Sequence, residues 1–238
     1  MNIAIIFAGG SGVRMRSASK PKQFLELNGK PIIIYTLEHF DRHEDIDAIV
    51  VVCIESWIDY LKDLIESFKI RKVVSIVPGG QTGQQSIRNG IFEAERLFPH
   101  DSLVLIHDGV RPLIDRDTIS ENIREASQKG NCITCIKSIE TLVVEKDDGS
   151  KDIPARDRSF LARAPQTFVL KDIAEAHRRA IADNRHDFID SCTLMDHYGH
   201  RLHSIIGPME NIKITTPMDY FVFKAIVQAR ENEQIFGF

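Results

Sequence analysis

Short apolar runs alternate with amphipathic segments along most of the chain. Five of the runs are almost continuously apolar, as expected for strands that are covered on both faces of a sheet. They span residues 3–7, 48–53, 73–77, 103–106 and 132–136. The segments with apolar residues at helical spacing span residues 32–40, 56–68, 84–97 and 117–128. This alternation predicts an α/β fold with a doubly wound, mainly parallel, Rossmann-like sheet.

The pattern changes between residues 137 and 164. A short strand at 141–145, a charged turn at 146–151 and a returning stretch predict a β-arm that projects from the sheet. An isolated hairpin is only marginally stable in water, so a second subunit is the economical surface for it to pack on. The alternative is an arm that folds back over its own domain.

Beyond the arm the α/β pattern resumes. Helices are predicted at residues 170–184, 190–197 and 217–232, and strands at 202–206 and 212–214. The sequence contains no repeat, low-complexity tract or linker. It therefore predicts a single domain over residues 1–238, with a dimerisation arm at about 137–164.

The overall charge narrows the class of partner. The chain has 238 residues, a net charge of −4, 43% hydrophobic residues and 27% charged residues. The negative net charge argues against nucleic-acid or membrane partners, because a protein that binds them would show a dominant basic face. Small anionic molecules are still possible ligands, because a local cluster of cations is enough to bind them. The first residues show no signal-peptide pattern, and no apolar run approaches 18 residues, so we expect a cytoplasmic protein.

A glycine-rich loop follows the first predicted strand. It reads AGGSGVRM at residues 8–15, and PKQ follows at 21–23. Glycines let the backbone approach a bulky anion, and successive N–H groups in such a turn form a nest for phosphate oxygens. Arg14 and Lys22 add two cations. The loop lacks the P-loop and dinucleotide patterns. A tight turn with incidental basic residues is the alternative, but the two cations favour a nucleoside triphosphate site.

Three further motifs lie at predicted strand ends, where doubly wound sheets bind ligands. PGGQTGQQSIRNG at 78–90 offers adjacent glycines for close approach to a flat base. HDGVRP at 107–112 places Asp108 where a Mg²⁺ ligand is expected, and Arg111 where it can pair with a second anion. NIKITTP at 211–217 places Lys213 opposite its apolar neighbours, facing either the cleft or solvent. Each motif alone also fits an ordinary turn, cap or surface strand.

Taken together, these motifs resemble those of the CTP-dependent polyol-phosphate cytidylyltransferase family. The resemblance covers nearly the whole chain, and the motifs occur in the family's order. They are AGGSGVRM, PKQFL, NGKPI, the GG…SIRNG turn, HDGVRP, APQTF at 164–168 and NIKITTP. The resemblance implies a reaction in which a phosphate oxygen of a polyol phosphate attacks the α-phosphorus of CTP. Pyrophosphate then leaves together with Mg²⁺.

The two glycine-rich turns supply the candidate nucleotide-binding residues. These are Phe7, Ala8, Gly9, Gly10, Ser11, Gly12, Gly79, Gly80, Gln81 and Ser86. By resemblance, Arg14 and Lys22 are the pair that stabilises the transition state, and Asp108 is the Mg²⁺ ligand.

The resemblance also implies an acceptor site around Asp108. The residues that match groups around the polyol phosphate are Arg111, Thr141, Arg156 and Lys213. Thr141 and Arg156 lie on the arm and would reach into the site of the neighbouring subunit, which makes a homodimer the expected assembly. Arg156 and Lys213 join Arg14 and Lys22 as catalytic candidates, because they would position the attacking phosphate.

The chain departs from the family at one position of the nucleotide turn. Gly83 stands where the family usually has arginine. The DIPARD stretch at 152–157 and Val110 favour the ribitol-phosphate branch, so D-ribitol 5-phosphate is the expected acceptor. The alternative acceptor is 2-C-methyl-D-erythritol 4-phosphate. Two other functions stay open: a transferase that uses UTP or GTP with a sugar 1-phosphate, and a nucleotide-binding regulator without catalysis.

Overall fold

A seven-stranded sheet forms the centre of the protein. The structure is a computed structural model, and it describes residues 1–10 and 20–236. The strands are β1 (Asn2–Ala8), β2 (Glu26–Leu27), β3 (Lys30–Pro31), β4 (Ala48–Cys53), β5 (Val73–Pro78), β6 (Leu103–Asp108), β7 (Asn131–Lys137), β8 (Val144–Glu145), β9 (Lys151–Asp152), β10 (Phe160–Val169) and β11 (Ser204–Ile206). The order in the central sheet is β11-β7-β10-β6-β1-β4-β5.

Most neighbouring strands of this sheet are parallel. β1 pairs in parallel with β4 on one side and with β6 on the other. β5 and β11 extend the two edges by further parallel pairing. β10 alone in this sheet runs antiparallel to both of its neighbours, β6 and β7. The predicted α/β fold with a mainly parallel sheet is therefore confirmed.

Helices cover both faces of the sheet. They are α1 (Ile32–Asp41), α2 (Ile58–Ser67), α3 (Gly83–Leu97), α4 (Arg116–Lys129), α5 (Leu170–Ala182), α6 (Ser191–His197) and α7 (Pro217–Phe236). Ile3 and Ile5 of β1 belong to the core that includes Ile87 of α3, whereas Ala4 and Ile6 belong to the core beneath α1 and α2. Successive side chains of a strand point to opposite faces, so both faces of β1 are buried. In the residues that the structure describes, no helix is long and apolar enough to span a membrane.

Some predicted strands differ from the structure. The prediction of a strand at 212–214 is wrong: the Ile214 N–H donates to the Val110 carbonyl at 2.9 Å, but no ladder forms. The strand predicted at 141–145 shortens to β8. β10 was not predicted, because Pro165 and Gln166 interrupt its apolar pattern. The register of β10 shifts between Ala162 and Gln166, and such an irregularity is where a strand accepts proline.

Residues 138–159 form an exposed excursion between β7 and β10. Within it, β8 and β9 pair with each other as a separate two-stranded sheet. The Ser138 N–H donates to the Ser159 carbonyl at 3.0 Å and closes the base of the excursion. Both ends of the predicted arm, 137 and 160–164, belong to the central sheet instead. A projecting dimerisation arm and the single-domain organisation of the chain stay predictions.

The direction in which the chain crosses the sheet reverses beside β1. The chain leads from β1 through α1 to β4 and β5, and α3 then returns it to β6 on the opposite side of β1. Ligands of doubly wound sheets bind beyond the carboxyl ends of the strands at such a switch point. Phe7 of β1 and Asp108 of β6 are register partners there, so the loops after these two strands meet at one place.

Candidate active site

A cavity of about 540 Å³ opens at this switch point. Most of the predicted nucleotide and catalytic residues line it: Phe7, Ala8, Gly9, Gly10, Lys22, Gly80, Gln81, Ser86, Asp108 and Lys213. The other described residues of the lining are Gln23, Thr82, Gly83, Val110 and Thr215. Its volume lies in the range of sites that hold small molecules and cofactors.

The two glycine-rich turns touch each other at the cavity wall. A Cβ atom on Gly9 would lie 3.2 Å from the Cα of Gly79 and 3.0 Å from the Oγ of Ser86. The Gly79 N–H donates to the Cys53 carbonyl at 2.7 Å and holds the second turn against the end of β4. Side chains at positions 9 and 79 would force the turns apart. Gly79 therefore supports the cavity from behind Gly9 and does not itself line it.

Side chains of α3 hold the second turn in shape. The Ser86 Oγ accepts a hydrogen bond from the Gly80 N–H at 3.0 Å and donates to the Thr82 carbonyl at 3.0 Å. The Gln85 Oε1 accepts from the Gln81 N–H at 2.9 Å. Thr82 caps α3 by accepting from the Gln85 N–H at 3.1 Å. The positive end of this helix therefore faces the cavity, where it favours an anion.

Gln23 supports the site and was not singled out from the sequence. It is buried, and its Nε2 donates to the carbonyl oxygens of Ala8 at 2.6 Å and Gly10 at 3.3 Å. The preceding residue, Lys22, lines the cavity at the start of a 3₁₀ turn. Gln23 thus ties the glycine-rich loop to the segment that carries Lys22. Gln23 belongs to the PKQ motif, in which only the lysine carries a charge that points to phosphate binding.

Asp108 lies between two cations at the end of β6. Its Oδ1 is 2.5 Å from the Nζ of Lys213, and its Oδ2 accepts a hydrogen bond from the Nε of Arg111 at 2.7 Å. Burial raises the pKa of Asp108, but the charges of Arg111 and Lys213 outweigh this effect and hold the pKa well below its usual value. The carboxylate is therefore ionised at neutral pH.

The segment that carries Lys213 is tethered to the end of β6. Nη1 of the buried Arg111 donates to the Asn211 carbonyl at 2.9 Å. The Nζ of Lys213 lies 5.7 Å from the centre of the Phe7 ring, within range of a cation–π contact. Of the two orientations that the sequence allowed, Lys213 therefore takes the one that faces the cleft.

A second cavity of about 250 Å³ adjoins the first. Phe7, Gly83, Asp108 and Lys213 line both of them. The other described residues of the second cavity are Ile87, Ile106, Arg111, Ala162, Arg163, Ala164, Gln166, Ile189, Asp190 and Ser191. Asp108 and Lys213 thus stand at the border between two spaces, where a group bound in one can meet a group bound in the other.

Not all predicted site residues are brought to these cavities. Ser11, Gly12 and Arg14 lie outside the described residues. Thr141 and Arg156 are exposed on the excursion at 138–159, and they line neither cavity. In one chain, therefore, the structure does not bring these two residues together with Asp108 and Lys213.

The border between the cavities offers a carboxylate to a divalent cation. Among the described side chains, no group of three or more His, Cys, Asp and Glu residues is placed to hold a metal ion. Mg²⁺ often uses one or two carboxylates and takes its other ligands from substrate phosphates and water. The ionised Asp108 fits such a ligand set.

Fold and site together define a doubly wound α/β protein with a cavity at its switch point that is lined by the two glycine-rich turns and by Lys22 and Lys213. Its sequence matches the family model "IspD: 2-C-methyl-D-erythritol 4-phosphate cytidylyltransferase" over residues 2–229. The chain belongs to this cytidylyltransferase family, which confirms the resemblance found in its motifs.

Individual relatives resemble the chain over at least 95% of its length. A ribitol-5-phosphate cytidylyltransferase of Vibrio parahaemolyticus is 53% identical, and one of Streptococcus agalactiae is 50% identical, each over 100% of both chains. A 2-C-methyl-D-erythritol 4-phosphate cytidylyltransferase of Clostridium botulinum is 38% identical over 95% of this chain and 97% of its own. Among solved structures, the 4-diphosphocytidyl-2C-methyl-D-erythritol synthase of Anaerococcus prevotii has a TM-score of 0.82 and 30% identity, covering 95% of this chain and 96% of its own.

Proposed function

We propose that the protein transfers a cytidylyl group from CTP to D-ribitol 5-phosphate, giving CDP-ribitol and pyrophosphate. The observation that carries the proposal is the position of Asp108 and Lys213 at the border of two cavities, the larger of which is lined by the glycine-rich turns. The choice of acceptor is supported by full-length relatives at 50–53% identity that are named ribitol-5-phosphate cytidylyltransferases.

The reaction needs little acid–base chemistry from the protein. An oxygen of the acceptor phosphate attacks the α-phosphorus of CTP in line, and the bond from this phosphorus to the bridging oxygen breaks. Pyrophosphate leaves with that electron pair. The nucleophile is already an anion, so we assign no general base. The barrier comes from bringing two anions together and from charge that develops on the α-phosphate oxygens.

Fixed cations and backbone N–H groups lower this barrier. Lys22 and Lys213 line the first cavity, and Arg14 is the third cation that we assign to the triphosphate. N–H groups of the loop that begins at Gly9 and Gly10 would bind phosphate oxygens, and the N-terminus of α3 adds its dipole. Groups that are held in place before the reaction stabilise developing charge without reorganising.

We assign Asp108 as the ligand of a divalent cation, most simply Mg²⁺. When bound, the ion neutralises charge on the triphosphate oxygens. Asp108 already lies beside Lys213 and Arg111, so the same carboxylate orients the two cations that face the acceptor phosphate.

We propose a homodimer in which Thr141 and Arg156 of one chain complete the acceptor site of the other. Both are exposed on the 138–159 excursion, which also exposes the apolar side chains of Ile139, Val143 and Ile153. A group of exposed apolar side chains is typical of a surface that contacts a partner. An arginine from a second copy would add a bidentate donor for the attacking phosphate.

A substrate panel tests the function. The protein is incubated with CTP, UTP, GTP or ATP, with and without Mg²⁺, and with D-ribitol 5-phosphate, 2-C-methyl-D-erythritol 4-phosphate or a sugar 1-phosphate. Pyrophosphate release and the product mass are measured. We expect CDP-ribitol with CTP and Mg²⁺, and none after chelation. Faster formation of the methylerythritol product would favour the alternative acceptor, and CTP binding without pyrophosphate release would favour a regulator.

A further inference from the structure

Most polar side chains of the second cavity are already engaged within the protein. Asp108 is held by its two cations. The Gln166 Nε2 donates to the Asp190 Oδ2 at 3.2 Å, and its Oε1 accepts from the Cys192 N–H at 2.9 Å. Asp190 also caps α6, where its Oδ1 accepts from the N–H and the hydroxyl of Thr193 at 2.9 Å each. Gln166 and Asp190 therefore have little hydrogen-bonding capacity left for a ligand.

Two polar side chains of the same cavity are different. The Ser191 Oγ is buried and has no hydrogen-bond partner within residues 1–10 and 20–236. The half-buried Arg163 of β10 forms no hydrogen bond or ion pair with any residue in those ranges. Burial lowers the pKa of Arg163, and the charge of Arg111 lowers it further. The cation of Arg163 therefore lies where the surrounding protein disfavours it. A buried hydroxyl such as that of Ser191 normally has a hydrogen-bond partner.

We propose that Arg163 and Ser191 bind the hydroxyl-bearing carbon chain of the acceptor and thereby select its length. This inference rests on the proposed function, because it requires a polyol phosphate in the second cavity. The planar guanidinium of arginine can donate to two neighbouring hydroxyl oxygens, and the serine hydroxyl can both donate and accept. A chain of adjacent hydroxyl groups would satisfy both side chains at once.

The position of the border explains why the pair meets the carbon chain and not the phosphate. The acceptor phosphate must reach the α-phosphorus of CTP, so it belongs where Asp108 and Lys213 line both cavities. Arg163 and Ser191 line only the second cavity. An acceptor whose phosphate lies at the border would therefore extend its carbon chain toward them.

Product binding measures this contact without relying on turnover. The variant Arg163→Met keeps much of the length of the side chain but loses its donors, and Ser191→Ala loses the hydroxyl. Calorimetry gives Kd for CDP, CDP-glycerol and CDP-ribitol. We expect Arg163→Met to weaken CDP-ribitol binding about 10- to 100-fold, and Ser191→Ala about 3- to 10-fold. Binding of CDP should be unchanged, and CDP-glycerol, whose chain is two carbons shorter, should lose less than about threefold.

The controls separate this inference from the proposed function. Arg201→Met removes an exposed arginine that lines neither cavity and should bind all three ligands as the wild type does. Retained CDP affinity and an unchanged Tm would show that a variant is folded. Arg163→Lys keeps the charge and should lose less affinity for CDP-ribitol than Arg163→Met. An equal loss for CDP and CDP-ribitol would overturn the assignment in favour of a phosphate contact. Unchanged CDP-ribitol binding in Arg163→Met, beside an active wild type, would overturn it as well. No CDP-ribitol from the wild type would instead overturn the proposed function.

Discussion

The Nζ of Lys213 lies 2.5 Å from the Oδ1 of the buried Asp108, and this contact stands at the border of the two cavities. Lys213 comes from an irregular segment late in the chain, whereas Asp108 ends a central strand. Arg111 connects the two segments, because it bonds both to Asp108 and to the Asn211 carbonyl. A cation placed in this way is neutralised by Asp108 in the free protein. Under the proposed function it would meet phosphate oxygens in the complex.

Replacing Lys213 with methionine should therefore affect turnover more than stability. We expect kcat to fall about 10²–10³-fold, as for the loss of one group that stabilises charge in the transition state. The Tm should change little, because Lys213 is 37% exposed and Arg111 still pairs with Asp108. Steady-state kinetics and thermal unfolding measure the two effects. The control, Lys224→Met, changes an exposed lysine of α7 outside both cavities and should keep full activity. A wild-type kcat in Lys213→Met would remove this residue from the mechanism.

Mixing two variants that we expect to be inactive tests the contribution of Arg156 across the proposed dimer. Arg156→Ala and Lys22→Ala should each lose most activity when assayed alone. In a mixed dimer, one site combines an intact Lys22 with an intact Arg156 from the other chain. Random exchange of subunits should therefore restore about one quarter of the wild-type activity, because half of the dimers are mixed and each has one complete site.

The control for this experiment places both changes in one chain. A double variant mixed with wild type leaves no complete site in the mixed dimers if Arg156 acts in trans, whereas each wild-type subunit stays active if it acts in cis. Sedimentation of Ile153→Glu, a charge placed on the exposed excursion, should show a weakened dimer. Val74→Glu, at an exposed position on β5, should not. A monomeric wild type, or no recovery in the first mixture, would contradict the proposed assembly.

The sequence predicts the central strands well because their signal is local. The runs that form β1, β4 and β6 are apolar on both faces, and the structure buries both faces. β10 lacks such a run, because the polar Gln166 lies within it. A contact with Asp190, which no local sequence pattern encodes, accommodates this side chain. The same reason applies to Gln23, whose role depends on carbonyl groups in another loop.

The candidate site was predictable where motifs follow strand ends, and less so elsewhere. Asp108 and the glycine-rich turns meet because their strands are neighbours in the sheet. The orientation of Lys213 depends on the bond between Arg111 and the Asn211 carbonyl, which joins distant segments. Arg163 lies in a strand that the apolar pattern does not reveal, so its place in the second cavity became visible only in the structure.

Gly83 should tolerate the arginine that the family usually carries. It is the first residue of α3, it lines both cavities, and no atom lies within 4 Å of an added Cβ. Gly83→Arg adds a cation at the cavity where we propose that the triphosphate binds, so we expect KM for CTP to fall about 3- to 10-fold with an unchanged Tm. Gly83→Ala controls for the backbone and should leave KM unchanged. A higher KM in the arginine variant would show that this chain uses the open space for its ligands.

The buried His177 of α5 should make stability depend on pH. Both of its ring nitrogens lack a hydrogen-bond partner in the described ranges, and burial, followed by the charge of Arg88, lowers its pKa to about 3. The unfolded chain binds a proton near pH 6.5, whereas the folded chain does not, so stability falls as the pH drops below 6.5. From this group alone, the free energy of unfolding should decrease by about 2 kcal/mol between pH 7 and pH 5. Urea unfolding at both pH values measures the change.

His177→Leu removes the titrating ring together with two unpaired polar atoms, so it should be at least as stable as the wild type at pH 7 and lose about 2 kcal/mol less on acidification. His186→Leu, at an exposed position, should retain the pH dependence of the wild type. If His177→Leu also followed the wild-type profile, the buried ring would not be the source of the dependence.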